Sequence, residues 1–248
     1  MTDGAFPTAM AARQLASAGM VILQIRDRHT HSGTLQEAED HVVGFEAAID
    51  QLVAEGIVDP KRVGIIGFSR TCWYVESALI RDPERFAAAT ISNGVDWSYI
   101  QYRLFGVDDA SAGETIGSYG AKPIGDGLHR WVELAPGFHL DRVHAPLRLE
   151  AEHGSSILTE WEIYSSLRDQ GKPVDLIYFP NAQHILEKPL ERMASQQGDV
   201  DWFRFWLQGY EDPDPTKAAQ YKHWHELRKL QERNNDNAKP TTPAAVVN

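Results

Sequence analysis

At 248 residues with 42% apolar residues, the chain is long enough to bury one substantial core. Its net charge of -11 argues against a nucleic-acid partner, because phosphate binding needs a basic face. Cys72 is the only cysteine, which excludes a disulfide framework and a thiolate metal cluster. There is no run of about 18 apolar residues, so we expect no membrane-spanning helix. Residues 1–10 lack the regions of a signal peptide, so we expect a cytoplasmic protein.

The predicted elements begin with the end of a helix that Gly19 stops, followed by a buried strand at Met20–Ile25. Thr34 and Glu37 fit a capping box, in which both side chains bond the first free amides of a helix. Behind them, apolar residues recur at steps of three and four up to Gly56. This spacing predicts a long helix with one apolar face.

The next segment has the layout of a nucleophile elbow. Val63–Ile66 is a short apolar run typical of a strand buried on both faces, and Gly67, Phe68 and Ser69 follow at once. A strand that leads into Gly-x-Ser and then into a helix lifts the serine hydroxyl clear of the sheet. Ser69 is therefore the candidate nucleophile. Thr71 stands where the motif has its second glycine, and the alternative interpretation is a serine in an ordinary strand-to-helix turn.

Downstream of this elbow, apolar runs of strand length alternate with helical periodicity, apart from an irregular segment at about 96–144 that we interpret as an insertion. With the two earlier strands this makes five, which predicts an α/β fold with a mainly parallel sheet and helices on both faces. The predicted downstream elements are a helix at 73–80, a strand at 86–91, a strand at 147–151, a helix at 157–170, a strand at 174–179 and helices at 189–195 and 199–207.

The composition changes beyond residue 211. Residues 212–215 read as a linker, and Thr216 to Arg233 as a charged helix. Residues 234–248 are polar and contain proline, so we expect them to be disordered. We therefore expect one domain at residues 1–211 and a separate C-terminal extension at residues 212–248.

A serine nucleophile needs a histidine to take its proton and a carboxylate to orient that histidine. In hydrolases with this elbow the chain order is serine, acid, histidine, each after a different strand. His184 follows the last predicted strand, and Glu152 lies at the end of the strand before it. Asp96 is the alternative acid, and a solvated carboxylate or a structural histidine remains the plainer interpretation. The backbone N–H of Arg70 would donate to the oxyanion.

Three stretches resemble a known family. Leu52–Ser69 resembles the approach to the nucleophile in the catalytic domain of the prolyl oligopeptidase (S9) family of serine peptidases. Gly171–Val174 and Phe179–His184 are similar to the same family's approach to its histidine. Within that family, the elbow and the glutamate at position 152, where aspartate is usual, resemble the lasso peptide isopeptidases.

The resemblance covers about residues 11–210 and implies an α/β-hydrolase fold that lacks its early strands. It implies a serine peptidase that opens the isopeptide bond of a lasso peptide through an acyl-enzyme, with Ser69, Glu152 and His184 as the triad, a peptide partner and no cofactor. Members of that branch carry an N-terminal β-propeller and an oxyanion loop, so we expect this chain to correspond to the C-terminal part of such an enzyme. The alternatives are a catalytically impaired fragment and an esterase of small substrates.

The remaining polar and aromatic clusters carry weaker signals. His29 with His31, and His223 with His225, have no third ligand at a familiar spacing, so we expect no metal site. Residues 26–28 could steer an acidic substrate group or form a structural ion pair. The aromatic residues of the insertion could line a pocket or form a small core of their own; they include Trp97, Tyr99, Tyr102 and Trp131.

Overall fold

The central element is a parallel β-sheet that orders the rest of the chain. The computed structural model describes residues 11–25, 31–94, 98–105, 116–152 and 154–238. Within these residues one sheet has four strands in the order β1-β2-β3-β4, all parallel to their neighbours. The strands are β1 (Gly64–Phe68), β2 (Ala88–Ser92), β3 (Leu147–Ala151) and β4 (Val174–Tyr178).

Helices precede, separate and follow the strands, as expected when parallel strands are joined by crossover connections. A π-helical turn at Arg204–Gln208 directly continues the helix that ends at Phe203. The helices are α1 (Ala12–Ser17), α2 (Gln36–Ala54), α3 (Thr71–Arg81), α4 (Tyr99–Phe105), α5 (Gly127–Leu134), α6 (Ser156–Asp169), α7 (Pro189–Phe203) and α8 (Ala218–Ala238).

The register of the sheet brings the ends of its strands to one edge. Phe68 pairs with Ser92, and Ser92 pairs with Glu150, one residue before the end of β3. At the other side of β3, Ala151 pairs with Tyr178. Because the strands are parallel, all of their carboxyl ends lie together, which is where open α/β sheets bind their ligands.

Two apolar clusters cover the two faces of the sheet. One joins α2, α3 and α6 to Ala89 and Ile91 of β2. The other joins α1, α7 and α8 to Ala88, which points the opposite way along the same strand. All five residues of β2 and of β3 are buried, because helices cover them from both sides. The predicted α/β architecture with helices on both faces is confirmed.

The C-terminal helix packs one side against the domain. Its Tyr221, Trp224 and Leu227 are buried in the cluster that contains Trp202 and Phe205. The indole N–H of Trp224 donates to a carboxylate oxygen of β4 at 2.8 Å. The helix spans Ala218–Ala238 rather than 216–233, and the division of the chain at residue 211 stays a prediction.

The strand predicted at Met20–Ile25 is wrong, since no strand is assigned to those residues. The side chains of Val21, Leu23 and Ile25 are exposed, whereas Met20 and Ile22 pack on the cluster beneath α8. An apolar run predicts that a segment can be buried, but a strand also needs a neighbouring backbone to pair with. The described residues therefore contain four strands rather than the five predicted.

The capping box predicted from Thr34 and Glu37 is wrong in its second half. The helix begins at Gln36, and the Thr34 hydroxyl accepts from the Gln36 amide at 3.3 Å. The Glu37 carboxylate accepts from the amide of Gly33 and turns inward to Arg70 instead of capping Thr34. A charge-assisted pair with a guanidinium is stronger than a bond to a neutral amide, so the tertiary contact prevails.

The described part of the insertion contains α4, α5, helical residues at 116–119 and short 3₁₀ turns at 136–138 and 140–142. Tyr102, Tyr119 and Trp131 pack edge-to-face and are buried against Trp73 and Tyr74 of α3. Tyr102 and Trp131 are therefore buried in an apolar cluster shared with α3, whereas Tyr99 is exposed. Across the described ranges, no helix combines the length and apolarity needed to cross a membrane.

Candidate active site

Ser69 lies in the turn between β1 and α3 and has a positive φ of 53°. Non-glycine residues seldom adopt this conformation, and backbone strain of this kind is concentrated at functional sites. The Ser69 amide donates to the carbonyl of Ser92 at 3.1 Å, which ties the turn to the end of β2. Gly67 is required here, because a Cβ would lie 2.9 Å from the Thr71 carbonyl oxygen and from a methyl group of Val75.

Thr71, which replaces the second glycine of the motif, bonds back to the end of β1. Its hydroxyl accepts from the Phe68 amide at 2.7 Å and lies 2.8 Å from the Phe68 carbonyl oxygen, to which it donates. These two bonds satisfy both polar backbone groups of Phe68. The departure from the usual motif thus supplies a specific contact that holds the turn.

His184 follows β4 and reaches the elbow from the other side of the site. Its Nε2 lies 3.0 Å from the Ser69 hydroxyl oxygen, at hydrogen-bond distance. The imidazole stacks on the ring of Phe68, with the centroids 4.9 Å apart. The structure therefore brings together two of the predicted site residues, which are 115 positions apart in sequence.

Glu152 lies directly after β3 and is fully buried. One of its carboxyl oxygens lies 3.0 Å from the Ser92 hydroxyl, and the other has no hydrogen-bond partner among the residues that the structure describes. Burial and the nearby Glu150 carboxylate raise the pKa of Glu152 to about 8. The raised pKa favours the protonated form of Glu152.

The Ser92 hydroxyl gives a geometric reason for the same protonation state. It lies 2.9 Å from Glu150 and 3.0 Å from Glu152, yet a hydroxyl has only one proton to donate. Glu150 is paired with the buried guanidinium of Arg148 and also accepts from Ser195. A protonated Glu152 can donate to Ser92 while Ser92 donates to Glu150.

Asn93 is a site residue that sequence reasoning missed. It directly follows β2, is 3% exposed and has a positive φ of 48°. Its Nδ2 lies 2.5 Å from Nδ1 of His184, on the opposite side of the imidazole from Ser69. The available signal was its position after a buried strand, at the edge of the sheet where His184 and Glu152 were already expected.

Glu37 and Tyr74 were also missed. Arg70 donates from Nε and Nη2 to the two carboxylate oxygens of Glu37 at 2.5 and 2.6 Å, and the Tyr74 hydroxyl donates to the same carboxylate. Burial raises the pKa of Glu37, but the bonds from Arg70, Tyr74 and the Gly33 amide outweigh it, so this pKa is lowered. The side chain that follows Ser69 is thereby fixed. The oxyanion role of the Arg70 backbone N–H stays a prediction.

Several residues singled out from the sequence lie outside the described residues: Asp96, the alternative acid, together with residues 26–29 and Trp97.

Of the histidines considered as metal ligands, His31 bonds Asp40, His223 lies 3.3 Å from Asp175 and His225 lies 2.9 Å from Glu211. Among the side chains that the structure describes, no group of three His, Cys, Asp or Glu could hold a metal ion.

The sequence is similar to known peptidases. Residues 13–115 match the prolyl oligopeptidase family. Lasso peptide isopeptidase AtxE2 of Asticcacaulis excentricus is 34% identical over 191 residues, which are 76% of this chain and 27% of that protein. Acylamino-acid-releasing enzyme of Arabidopsis thaliana is 24% identical over 63% of this chain and 21% of its own length. The chain thus spans about a quarter of the length of these curated relatives.

Solved structures of the same kind share the fold. An AtxE2 isopeptidase variant with Astexin3-dC4 bound superposes with a TM-score of 0.69 and 26% identity, covering 91% of this chain and 31% of that one. An acylaminoacyl peptidase of Pyrococcus horikoshii gives a TM-score of 0.58 and 24% identity over 75% of this chain and 30% of its own. The parallel sheet with helices on both faces is the α/β-hydrolase fold. In its fold, its serine elbow and these relatives, the chain is similar to the serine peptidases of the prolyl oligopeptidase family, whose family model matches residues 13–115.

Proposed function

We propose that the chain hydrolyses an amide bond through an acyl-enzyme, with Ser69 as nucleophile and His184 as general base. The observation that carries this proposal is the 3.0 Å distance between the Ser69 hydroxyl oxygen and Nε2 of His184. This contact lies at the carboxyl edge of the sheet, and a turn with a positive φ presents the serine. A serine hydroxyl in water is a poor nucleophile, so the imidazole contact is what would activate it.

In the proposed reaction, Ser69 Oγ attacks the amide carbonyl carbon while Nε2 of His184 takes the hydroxyl proton. The Arg70 backbone N–H donates to the developing oxyanion. His184 then returns the proton to the departing amine, and the carbon–nitrogen bond breaks to leave an acyl-serine. Water attacks this ester with His184 again as base, which releases a carboxylic acid and restores Ser69. Glu152 is the proposed acid of the triad.

The substrate we propose is the isopeptide bond that closes the ring of a lasso peptide. The support is the 34% identity to lasso peptide isopeptidase AtxE2 over 76% of this chain, together with the likeness to AtxE2 bound to Astexin3-dC4. The glutamate at position 152 and the elbow around Ser69 also resemble that branch. Cleavage of the ring-closing amide would leave a linear peptide that is heavier by one water.

A second candidate is a chain that binds a peptide without hydrolysing it efficiently. The observation that favours it is the contact of the Asn93 amide nitrogen with Nδ1 of His184, at 2.5 Å. A donor at Nδ1 leaves the imidazole proton on Nε2. A protonated Nε2 cannot accept the proton of Ser69. An esterase of small substrates remains the third candidate, since esters need less assistance to the leaving group.

The first experiment asks whether Ser69 is activated. The full chain is treated with a fluorophosphonate probe, and the labelled residue is identified by mass spectrometry. We expect labelling at Ser69 that Ser69→Ala and His184→Ala both abolish. Ser165→Ala, a serine of α6 that bonds the carbonyl of Glu162, is the matched control and should label normally. A folded chain that does not label would contradict the hydrolase proposal and favour the binding candidate.

The second experiment asks which bond is cleaved. A threaded lasso peptide, its linear counterpart with the same sequence, and a small ester are incubated separately with the chain. Loss of the ring with a mass increase of one water is the expected result for the threaded peptide. Turnover of the small ester alone would identify an esterase, and the Ser69→Ala variant should abolish any true turnover.

A further inference from the structure

Asn93 occupies the position on His184 where a serine hydrolase needs its orienting group. Its Nδ2 lies 2.5 Å from Nδ1 of the imidazole and 3.4 Å from the His184 backbone carbonyl oxygen. The opposite ring nitrogen faces Ser69 at 3.0 Å. The side chain is buried, so water does not compete freely for this contact.

We propose that Asn93 is a positioning residue that selects which nitrogen of the His184 imidazole carries the proton. This inference rests on the proposed hydrolase function, in which Nε2 must be free to accept the proton of Ser69. A neutral imidazole has one N–H and one acceptor nitrogen, and the partner of one nitrogen decides the state of the other.

A side-chain amide can make this selection in either direction, because one end donates and the other accepts. With Nδ2 facing Nδ1, Asn93 donates, and the imidazole proton lies on Nε2 and points at Ser69. With Oδ1 facing Nδ1, Asn93 accepts, and Nε2 can take the serine proton. Half a turn of one amide thus separates a resting state from a productive one.

The surroundings fix the amide at this spot. The Asn93 backbone N–H donates to the Glu150 carbonyl at 2.7 Å, which attaches the residue to β3. Its φ of 48° is a conformation that asparagine adopts more readily than most residues. Asn93 is thus attached to β3 through its backbone while its side chain contacts His184.

The strained backbone provides a clean variant. Glycine tolerates a positive φ, so Asn93→Gly removes the amide without adding strain. Asn93→Asp keeps the size but offers only an acceptor to Nδ1 when it is ionised. Thr90→Val is the matched control, because it removes another buried polar group from β2 without touching His184.

The primary test is ¹⁵N NMR of the His184 imidazole in the full chain, assigned by the loss of its signals in His184→Gln. The two nitrogen shifts report the tautomer directly and do not require activity. We expect Asn93→Gly to change the ratio of the two tautomers by about tenfold, the effect of one hydrogen bond. Asn93→Asp should place the proton on Nδ1. Shifts that stay at the wild-type values in both variants, as in Thr90→Val, would overturn the proposal.

The second test is the rate of fluorophosphonate labelling at Ser69. Asn93→Gly should label more slowly by about a hundredfold, the usual cost of a misdirected catalytic group. Asn93→Asp should recover part of that loss, because its carboxylate accepts from Nδ1–H. If both variants label at the wild-type rate and their imidazole shifts are unchanged, the proposed role of Asn93 is contradicted, but the hydrolase function is not. A wild-type chain that fails to label would contradict the hydrolase function, while the shifts would still decide the role of Asn93.

Discussion

Arg70 and Glu37 form a two-pronged ion pair across 33 residues of sequence, with nitrogen–oxygen distances of 2.5 and 2.6 Å. Glu37 is buried on the first turn of α2, whereas Arg70 is partly exposed and directly follows Ser69. Two parallel bonds fix the direction of a guanidinium as well as its distance. The pair therefore couples the start of α2 to the turn that presents the serine.

Glu37→Gln should lower the free energy of unfolding by about 1–3 kcal/mol, because it leaves the Arg70 guanidinium without its charged partner. Urea unfolding of the full chain measures this change. Glu39→Gln is the control on the same helix. The Glu39 carboxylate is exposed and pairs with Arg81, so its loss should cost less than about 1 kcal/mol. Equal losses of unfolding free energy in the two variants would show that the buried pair stabilises the fold no more than the exposed pair does.

The Glu37 pair should also make stability depend on pH. The folded state lowers the pKa of this carboxyl, so the stabilisation is complete above the pKa of the unfolded chain and is lost as the pH falls through the folded value. The difference in unfolding free energy between wild type and Glu37→Gln should therefore shrink from about pH 5 downward. A difference that stayed constant down to about pH 3 would be inconsistent with this pair.

Glu152 should show the opposite dependence. Its pKa is raised to about 8 in the folded state, so between about pH 4.5 and pH 8 the folded chain holds a proton that the unfolded chain releases. Below about pH 4.5, Glu152 therefore contributes nothing to the free energy of unfolding. As the pH rises from about 4.5 to about 8, Glu152 lowers this free energy progressively. Glutamine cannot ionise, so the free energy of unfolding of Glu152→Gln relative to wild type should rise by on the order of 3 kcal/mol from pH 5 to pH 8. Parallel stability curves for the two proteins would place the pKa of Glu152 near its ordinary value instead.

Thr71 should prove necessary for the turn at Ser69. Thr71→Val keeps the shape but removes both bonds to Phe68, which should cost about 1–3 kcal/mol because the Phe68 amide loses its partner. It should also slow labelling at Ser69. Ser77→Ala on the same helix removes a bond to the Trp73 carbonyl and should change stability by less than about 0.5 kcal/mol. Thermal unfolding of the two variants makes the comparison, and a Thr71→Val chain as stable as Ser77→Ala would refute this role.

Trp224 tests whether α8 belongs to the folded domain. The indole is fully buried against Trp202 and Phe205, and its N–H donates to Asp175 of β4. Trp224→Ala should cost about 3–5 kcal/mol and should lower the midpoint of a single unfolding transition. Lys229→Ala, which removes an exposed ion pair with Glu226 on the same helix, is the matched control and should cost less than about 1 kcal/mol. A separate extension, as the division at residue 211 predicts, would leave the main transition unchanged.

Local patterns in the sequence were sufficient for the strands after residue 62, for the elbow and for most of the long helices. The two helices predicted at 189–195 and 199–207 are wrong as separate elements, because one continuous helix, α7, spans Pro189–Phe203. The predicted strand at Leu147–Ala151 has the observed bounds, because its apolar residues alternate with Arg148 and Glu150 at the two-residue period of a strand. Ser69 and His184 could be named as candidates because each follows a strand directly, and parallel strands end at one edge of a sheet.

Tertiary structure decided what these patterns could not. Residues 20–25 resemble a strand in composition, but pairing depends on a backbone alongside, which no local pattern contains. Glu37 looked like a helix cap until Arg70, 33 residues later, offered it a charged partner. Asn93 meets His184 across 91 residues for the same reason. The amino-acid sequence by itself determined which segments could be buried and which side chains could do chemistry, because both are properties of short stretches. Only the folded chain decided which of those side chains meet, because hydrogen bonds and ion pairs act over a few ångströms between segments that are distant in sequence.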